Sequence, residues 1–210
     1  MVTLYYAPST ASLVVHWLLI ELDVPHTLRR LDLEAREHKT AAYLALNPAG
    51  VVPTLVVDEH VITEAVAIVM HLGDVHAAAL HTPAPGTAAR AHYYQWLCFM
   101  ANTLQPAYRA WFYPDEPAGA DHAAQAKAAA RARLETAWAQ VEAHLAAHGP
   151  WLLGATRTAA DFMLCMLMRW SRNMPRPATT WPALAAHAAA MKALPSFREL
   201  YAREGLTDWT

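Results

Sequence analysis

The stretch "YYAPSTASLVVHW", residues 5–17, decides how the rest of the chain is read. An apolar run ends in a proline-bearing turn and passes into a helical pattern. The run "VTLYYA" (2–7) predicts a strand, and "ASLVVHWLLIEL" (11–22) predicts a helix, with Leu13, Trp17 and Ile20 recurring at helical spacing. The turn between them is where a redox protein of this layout places a reactive thiol. Here it carries Ser9, Thr10, Ala11 and Ser12, with no cysteine. The turn has therefore either lost sulfur chemistry or takes its sulfur from a ligand.

Outward from this stretch the first third keeps alternating. "HTLRRLDL" (26–33) reads as a strand, and "TAAYLALNP" as a short helix stopped before Pro48. "VVPTLVVD" (51–58) and "HVIT" (60–63) read as a hairpin, and "EAVAIVMHLGDV" (64–75) as a closing helix. The order βαβαββα predicts a mixed sheet with helices on its faces. A segment with prolines and a glycine, "AAALHTPAPGTAAR", then reads as a linker, and nothing beyond it looks like a strand. A long helix must bend near Pro106, which removes a backbone donor and crowds the preceding turn. An Ala-rich helix follows with an apolar stripe of Leu134, Trp138, Val141 and Leu145, and Gly149 stops it. Thr158-x-x-Asp161 predicts a capped helix start. Two shorter helices, around 182–194 and 196–204, finish the chain. The expected domains are 1–78 (α/β), a linker at 79–87, and an all-helical domain at 88–210.

Composition narrows the function. The formal net charge is -2, only 16% of residues are charged, and Arg29-Arg30 and Arg131/Arg133 are isolated pairs. A nucleic-acid partner is not expected. Cys98 and Cys165 lie far apart within apolar helical patterns, which argues against a disulfide framework. There is no apolar run of the length a spanning helix needs and no signal-like start, so a cytoplasmic protein with no membrane partner is expected. His71, His76 and His81 are spread around a helix and into the linker, without an HExxH, and no metal is expected.

Several residues carry alternative readings. Pro53 suits a strand start or edge; the sharper reading is a cis Val52-Pro53 bond that presents the Val52 backbone to a ligand. Glu64 suits a helix start, or holds a ligand's amino group while nearby N–H groups take its carboxylate. His38-Lys39 is a loop pair. The aromatic residues between Tyr93 and Tyr113 read first as core, with those near Arg109 forming a mixed wall.

Together the "APSTAS" turn, "REHKTAAYLALNPAGVVPTL", "TEAVAIVMHL", the linker and an all-helical half with Thr158-x-x-Asp161 resemble a cytosolic glutathione transferase of bacterial type. The likeness runs in order over nearly the whole chain. It implies a thioredoxin-like domain that holds glutathione, as co-substrate, and a helical domain that supplies the second-substrate pocket. Val52 before Pro53 would pair with the cysteinyl backbone, Glu64 would contact the γ-glutamyl group, and His38 and Lys39 would bind the glycyl carboxylate. Trp17 reads as packing. The resemblance also implies a homodimer.

Three positions depart from that pattern. Ala65 stands where the family usually has a serine hydroxyl for the γ-glutamyl carboxylate. Ala11 stands where the cysteine-type, beta-class-like members carry their catalytic cysteine. Cys98 and Gln105 stand where asparagine and histidine are common, with Asn102 nearby as another polar contact for glutathione. Without a protein thiol, the expected chemistry is activation of the thiol of glutathione by a helix N-terminus and a hydroxyl donor. Thr10 matches the serine of serine-type members and is the first choice, with Ser9 and Ser12 as alternatives. Tyr108, Trp111 and Arg169 are the expected second-substrate wall. The expected reaction conjugates the thiolate to small, largely apolar electrophiles. The alternatives are a glutathione-dependent isomerase or dehalogenase, and a non-catalytic glutathione-binding scaffold.

Overall fold

The computed structural model describes residues 1–210. By its internal contacts the chain divides into two compact units, Met1–Thr82 with Lys192–Thr210, and Pro83–Met191.

The first unit is built on β1 (Val2–Tyr6), α1 (Ser12–Glu21), β2 (His26–Arg30), α2 (Ala41–Leu44), β3 (Thr54–Val57), β4 (His60–Thr63) and α3 (Ala65–Val75). The strands form one sheet in the order β2-β1-β3-β4. β1 runs parallel to β2 and antiparallel to β3, which is antiparallel to β4. This is the mixed sheet that the alternation implies, and the hairpin turns at Asp58-Glu59. β1 buries Leu4, β3 buries Leu55, and α1 buries Leu13, Val14, Trp17 and Leu18, while α3 adds Ile68, Val69 and Leu72. α1 is so apolar that it buries residues all round rather than along one stripe, because it packs against β1, α3 and a C-terminal helix together.

That last helix, α10 (Pro195–Glu204), is where the sequence-based domain boundary and the fold differ. The sequence placed 192–210 with the helical half; the contacts place it with the first unit. The reason lies on α1. The Trp17 indole N–H donates to Ser196 Oγ at 2.9 Å, Ser196 donates to Glu21, and the Phe197 ring lies 5.2 Å from that of Trp17. Trp17 is thus a packing residue, completely buried.

The second unit is helical: α4 (Ala88–Phe99), α5 (Gln105–Phe112), α6 (Asp115–Ala118), α7 (Ala123–His148), α8 (Ala159–Trp170) and most of α9 (Pro182–Lys192). α4 continues into a π-helical turn at Met100–Leu104, in which the N–H of Gln105 reaches the carbonyl of Met100. The wider turn lies directly before Pro106, and absorbs the missing donor and the bulk of its ring. The stripe Leu134, Trp138, Val141 and Leu145 is buried as its spacing requires. Thr158 and Asp161 form the capping box at the start of α8, with Asp161 Oδ2 accepting from the Thr158 N–H at 2.8 Å. The other carboxylate oxygen accepts from the Leu152 N–H at 2.9 Å and meets His187 Nε2 at 3.1 Å. Glu142 likewise caps α9, accepting from Ala183 and Leu184 at 3.0 and 2.9 Å.

Candidate active site

Strand register gathers the sequence-singled residues of the first unit at one edge of the sheet. Tyr5 pairs with Thr54, and Thr54 with Thr63. The turn after β1, the loop before β3 and the residue after β4 therefore share that edge. Tyr6 pairs with Arg30, and its carbonyl accepts from Leu31 at 2.8 Å, so the segment leading to His38-Lys39 starts there too.

The turn 7–12 is a closed hydrogen-bond knot. Ser12 Oγ donates to the Ala7 carbonyl at 3.0 Å and accepts from the Ala7 N–H at 3.2 Å. Thr10 Oγ1 donates to the same carbonyl at 2.7 Å and lies 2.8 Å from Ser12 Oγ. It also accepts from the Ser12 N–H at 3.3 Å, a local turn bond two residues apart. Ser12 is completely buried and its hydroxyl is used within the turn, so its place among the thiol donors is corrected: it holds the turn. Thr10 and Ser9 are half-buried, and Ser9 has φ 65°.

Glu204, the last residue of α10, braces this turn. Its Oε2 accepts from the Ser9 N–H at 3.0 Å, and its Oε1 lies 2.9 Å from His16 Nδ1 on α1, with both side chains wholly buried. Neither residue carried a sequence signal for this role, because they meet across nearly the whole chain. Burial also pushes the Tyr6 phenol up, with the Glu204 charge adding to it and Arg30 opposing.

The Val52–Pro53 bond is cis, as is Gly149–Pro150. The loop before Pro53 is fixed from below. The Tyr43 hydroxyl donates to the Val51 carbonyl at 2.7 Å and Asn47 Nδ2 donates to it at 2.8 Å. Gly50 has φ 59°, and a Cβ there would meet the His38 carbonyl at 2.9 Å and Lys39 Nζ at 2.8 Å, so only glycine suits the close approach. Lys39 Nζ in turn donates to the Ala49 carbonyl at 3.2 Å. His38 is half-buried, and burial, then the charges of Lys39 and Arg36, hold its imidazole below the ordinary histidine range. Lys39 is thus the cation of the pair and His38 a neutral hydrogen-bonding group.

Glu64 precedes α3 with φ 70° and ψ 114°, exposed and making no capping bond to its own helix. A non-glycine residue in this region is strained, and such strain concentrates at ligand sites. Ala65, the first residue of α3, is buried and offers no hydroxyl.

The second unit places its singled residues differently. Asn102 is exposed on the π turn and lines a cavity of about 500 Å³ with Thr103, Pro106, Arg133 and Gln140. Tyr108 is fully buried, its ring among those of Phe112, Trp138 and Trp170, and burial pushes its phenol far above the usual range. Arg169 is 1% exposed. Both are interior residues rather than an open wall, a correction of the sequence reading. Trp111 stays half-exposed, with Lys127 Nζ 4.6 Å from its ring centre. The aromatic surface at this end of α5 is completed by Phe112 and Tyr113, 48% and 50% exposed, which helical spacing alone could not separate from core.

The mixed sheet in the order β2-β1-β3-β4 with α1 and α3 packed on it defines a thioredoxin-like unit, followed by a helical one. Family comparison makes it specific. Residues 1–74 match the model of the glutathione S-transferase N-terminal domain, and residues 101–203 that of the glutathione S-transferase C-terminal domain. Glutathione S-transferase GST-4.5 of Xanthomonas campestris is 35% identical over 81% of this chain and 82% of its own length. A solved glutathione S-transferase from Xylella fastidiosa superposes with a TM-score of 0.89 at 30% identity, covering 99% of this chain and all of that one. A sphingomonad glutathione S-transferase solved with glutathione gives 0.84 at 29%, covering 98% and 100%. The chain belongs to the glutathione S-transferase family and is a transferase of the bacterial type.

Proposed function

We propose that the protein conjugates glutathione, through its sulfur, to small, largely apolar electrophiles. The observation that carries this reading is the gathering at one sheet edge of the Thr10 turn, the Val52 backbone, Lys39 and the unengaged carboxylate of Glu64. The extended tripeptide would lie along that edge. Its cysteinyl backbone pairs with Val52, its γ-glutamyl amine meets Glu64, and its glycyl carboxylate meets Lys39, with His38 as a neutral donor. Its sulfur then sits at the start of α1, where the helix dipole favours the thiolate.

Thr10 is free to stabilise that anion because of Ser12. The Ala7 carbonyl accepts from both hydroxyls, so Thr10 can turn its proton toward sulfur while Ser12 keeps the carbonyl satisfied. The thiol proton leaves to solvent. The thiolate forms a bond to the electrophilic carbon as the leaving group departs with its electron pair. The protein positions and stabilises charge, with no covalent enzyme intermediate. Trp111, with Phe112 and Tyr113, is the surface proposed for the apolar substrate, Asn102 a further polar contact, and a homodimer the proposed assembly. A non-catalytic binder is the second reading, favoured by Ala65 and by the bond Thr10 already makes to Ala7.

The test is an ultraviolet difference titration with glutathione at neutral pH. A saturable thiolate band is expected, reduced in Thr10→Val together with a roughly 10–100-fold lower conjugation rate. Binding without a thiolate band would leave the binder; absence of binding would sink both readings.

A further inference from the structure

The strained glutamate is exposed and the turn half-buried, but the loop before Pro53 is controlled from inside. Tyr43 and Asn47, four residues apart on and just after α2, are 3% and 2% exposed, and Thr54 at the start of β3 is fully buried. The first two converge on one carbonyl. Val51 O receives Tyr43 OH at 2.7 Å and Asn47 Nδ2 at 2.8 Å. Both donors also contact Thr54 Oγ1, at 2.8 and 3.1 Å. The other end of the Asn47 amide accepts from the Ala49 N–H at 3.1 Å, and the Asn47 carbonyl from Gly50 at 2.9 Å. Asn47, Ala49, Gly50 and Val51 thereby each have a backbone group tied by these bonds. Val52, the next residue, uses neither its N–H nor its C=O in any hydrogen bond of the fold.

Two buried donors on one carbonyl, joined to each other through a third buried hydroxyl, are more than a loop needs merely to stay folded. Burial of this kind is tolerated when each group is satisfied, and a satisfied buried network fixes one geometry. Rotating the 51–52 peptide would break both bonds to the Val51 carbonyl and leave Thr54 Oγ1 as the remaining partner of the Tyr43 hydroxyl and the Asn47 amide, at a cost of about 1 kcal/mol for each bond lost. The peptide plane that carries the Val52 N–H is the one that carries the Val51 carbonyl, so the same restraint fixes it.

We propose that Tyr43, Asn47 and Thr54 are positioning residues that pre-set the Val52 backbone for strand-like pairing with an extended peptide ligand, and so govern affinity for glutathione without touching it. This rests on the proposed glutathione site. Fixing the receiving strand in advance lowers the ordering cost on binding, so its effect falls on ligand affinity and not on the sulfur chemistry. Tyr43 carries a second observation in the same direction. Its ring lies 5.6 Å from that of Tyr5, which keeps the phenol body packed whether or not the hydroxyl is present.

The test therefore uses Tyr43→Phe, which removes only the hydroxyl, and Asn47→Asp, which keeps shape and replaces the donor by an acceptor. Two readouts are taken: amide hydrogen exchange over residues 48–56 without ligand, and steady-state conjugation with glutathione and the electrophile varied separately. We expect faster exchange in that segment and a roughly 5–20-fold higher KM for glutathione in Tyr43→Phe. The effect should be larger in Asn47→Asp, with kcat and the KM for the electrophile unchanged in both. An unchanged glutathione KM overturns the proposal, and so does a fall in kcat that tracks loss of folded protein. If wild-type protein binds no glutathione, the functional reading fails separately. Exchange then decides the positioning network alone, and unchanged exchange over 48–56 overturns it.

Discussion

Each unit of the molecule contains one fully buried carboxylate facing a fully buried histidine, and the two pairs do different work. In the helical unit Asp161 meets His187 at 3.1 Å; in the first unit Glu204 meets His16 at 2.9 Å. Asp161 spends its remaining capacity on the N–H groups of Leu152 and Thr158, a loop and a helix start. Glu204 spends its own on the Ser9 N–H, inside the turn that begins α1. The same pair of side-chain types thus closes a fold in one place and steadies a candidate active site in the other. What separates them is the backbone group on the second oxygen, not the depth of burial.

The largest effect is expected at the purely structural pair. Asp161→Ala strands two buried N–H groups and a histidine at once, and should lower stability by about 3–5 kcal/mol. Thermal or urea unfolding measures it. Conjugation per folded molecule should stay close to wild type. A variant that folds normally yet loses catalysis would erase the distinction between the two pairs.

Glu204→Ala is expected to cost less, about 2–3 kcal/mol, since only the Ser9 N–H and His16 lose their partner. It should also speed amide exchange over residues 7–12 and lower the conjugation rate of protein that remains folded. Glu204→Gln sharpens the point. The amide oxygen can serve Ser9 while its NH2 donates to His16 in the other tautomer, so most of both losses should be recovered. If Glu204→Ala reduces stability and leaves the rate per folded molecule intact, Glu204 is as structural as Asp161.

The two pairs also mark what a sequence can and cannot disclose. Asp161 was legible through Thr158-x-x-Asp161, because a capping box is a local pattern set by helix geometry. The sheet was legible because βαβαββα alternation and the hairpin run "VVPTLVVDEHVIT" are local as well. Glu204 was not legible: it acts on residues from the other end of the chain, in a helix whose own pattern is merely amphipathic. Long-range contact also moved residues 192–210 out of the helical half. The Tyr108 reading failed for a related reason. Aromatic residues three and four apart mark a helix face, but only the packing of Trp138 and Trp170 against that face shows it to be interior. Val52 and Glu64 were visible through family motifs, whereas Tyr43 and Asn47 beneath the loop were not singled out, since a tyrosine and an asparagine four apart have no distinctive spacing.

The smallest expected effect concerns acid, and again separates the pairs. The His187 ring lies against Trp151, edge to face at 5.4 Å, whereas His16 has a second titratable ring beside it, that of His26 at 5.7 Å. His26 Nδ1 donates to the Val24 carbonyl at 2.7 Å, and neither His16 nor His26 finds a partner for Nε2. Burial, only partly offset by the Val24 bond, holds His26 below its ordinary value of 6.5; His16 and Arg203 add to the lowering, and Glu199 opposes it. The unfolded chain therefore takes up this proton first as pH falls. The stabilising contribution is complete above about pH 6.5 and is lost as pH drops from there through the lower folded value. His26→Gln keeps a donor for Val24 and removes the titration, so its melting temperature should fall less than that of wild type between pH 7.5 and 5. Parallel slopes would mean that acid does not act on the first unit through His26. A shallower slope in Asp161→Asn than in His26→Gln would place the sensitivity at the other pair.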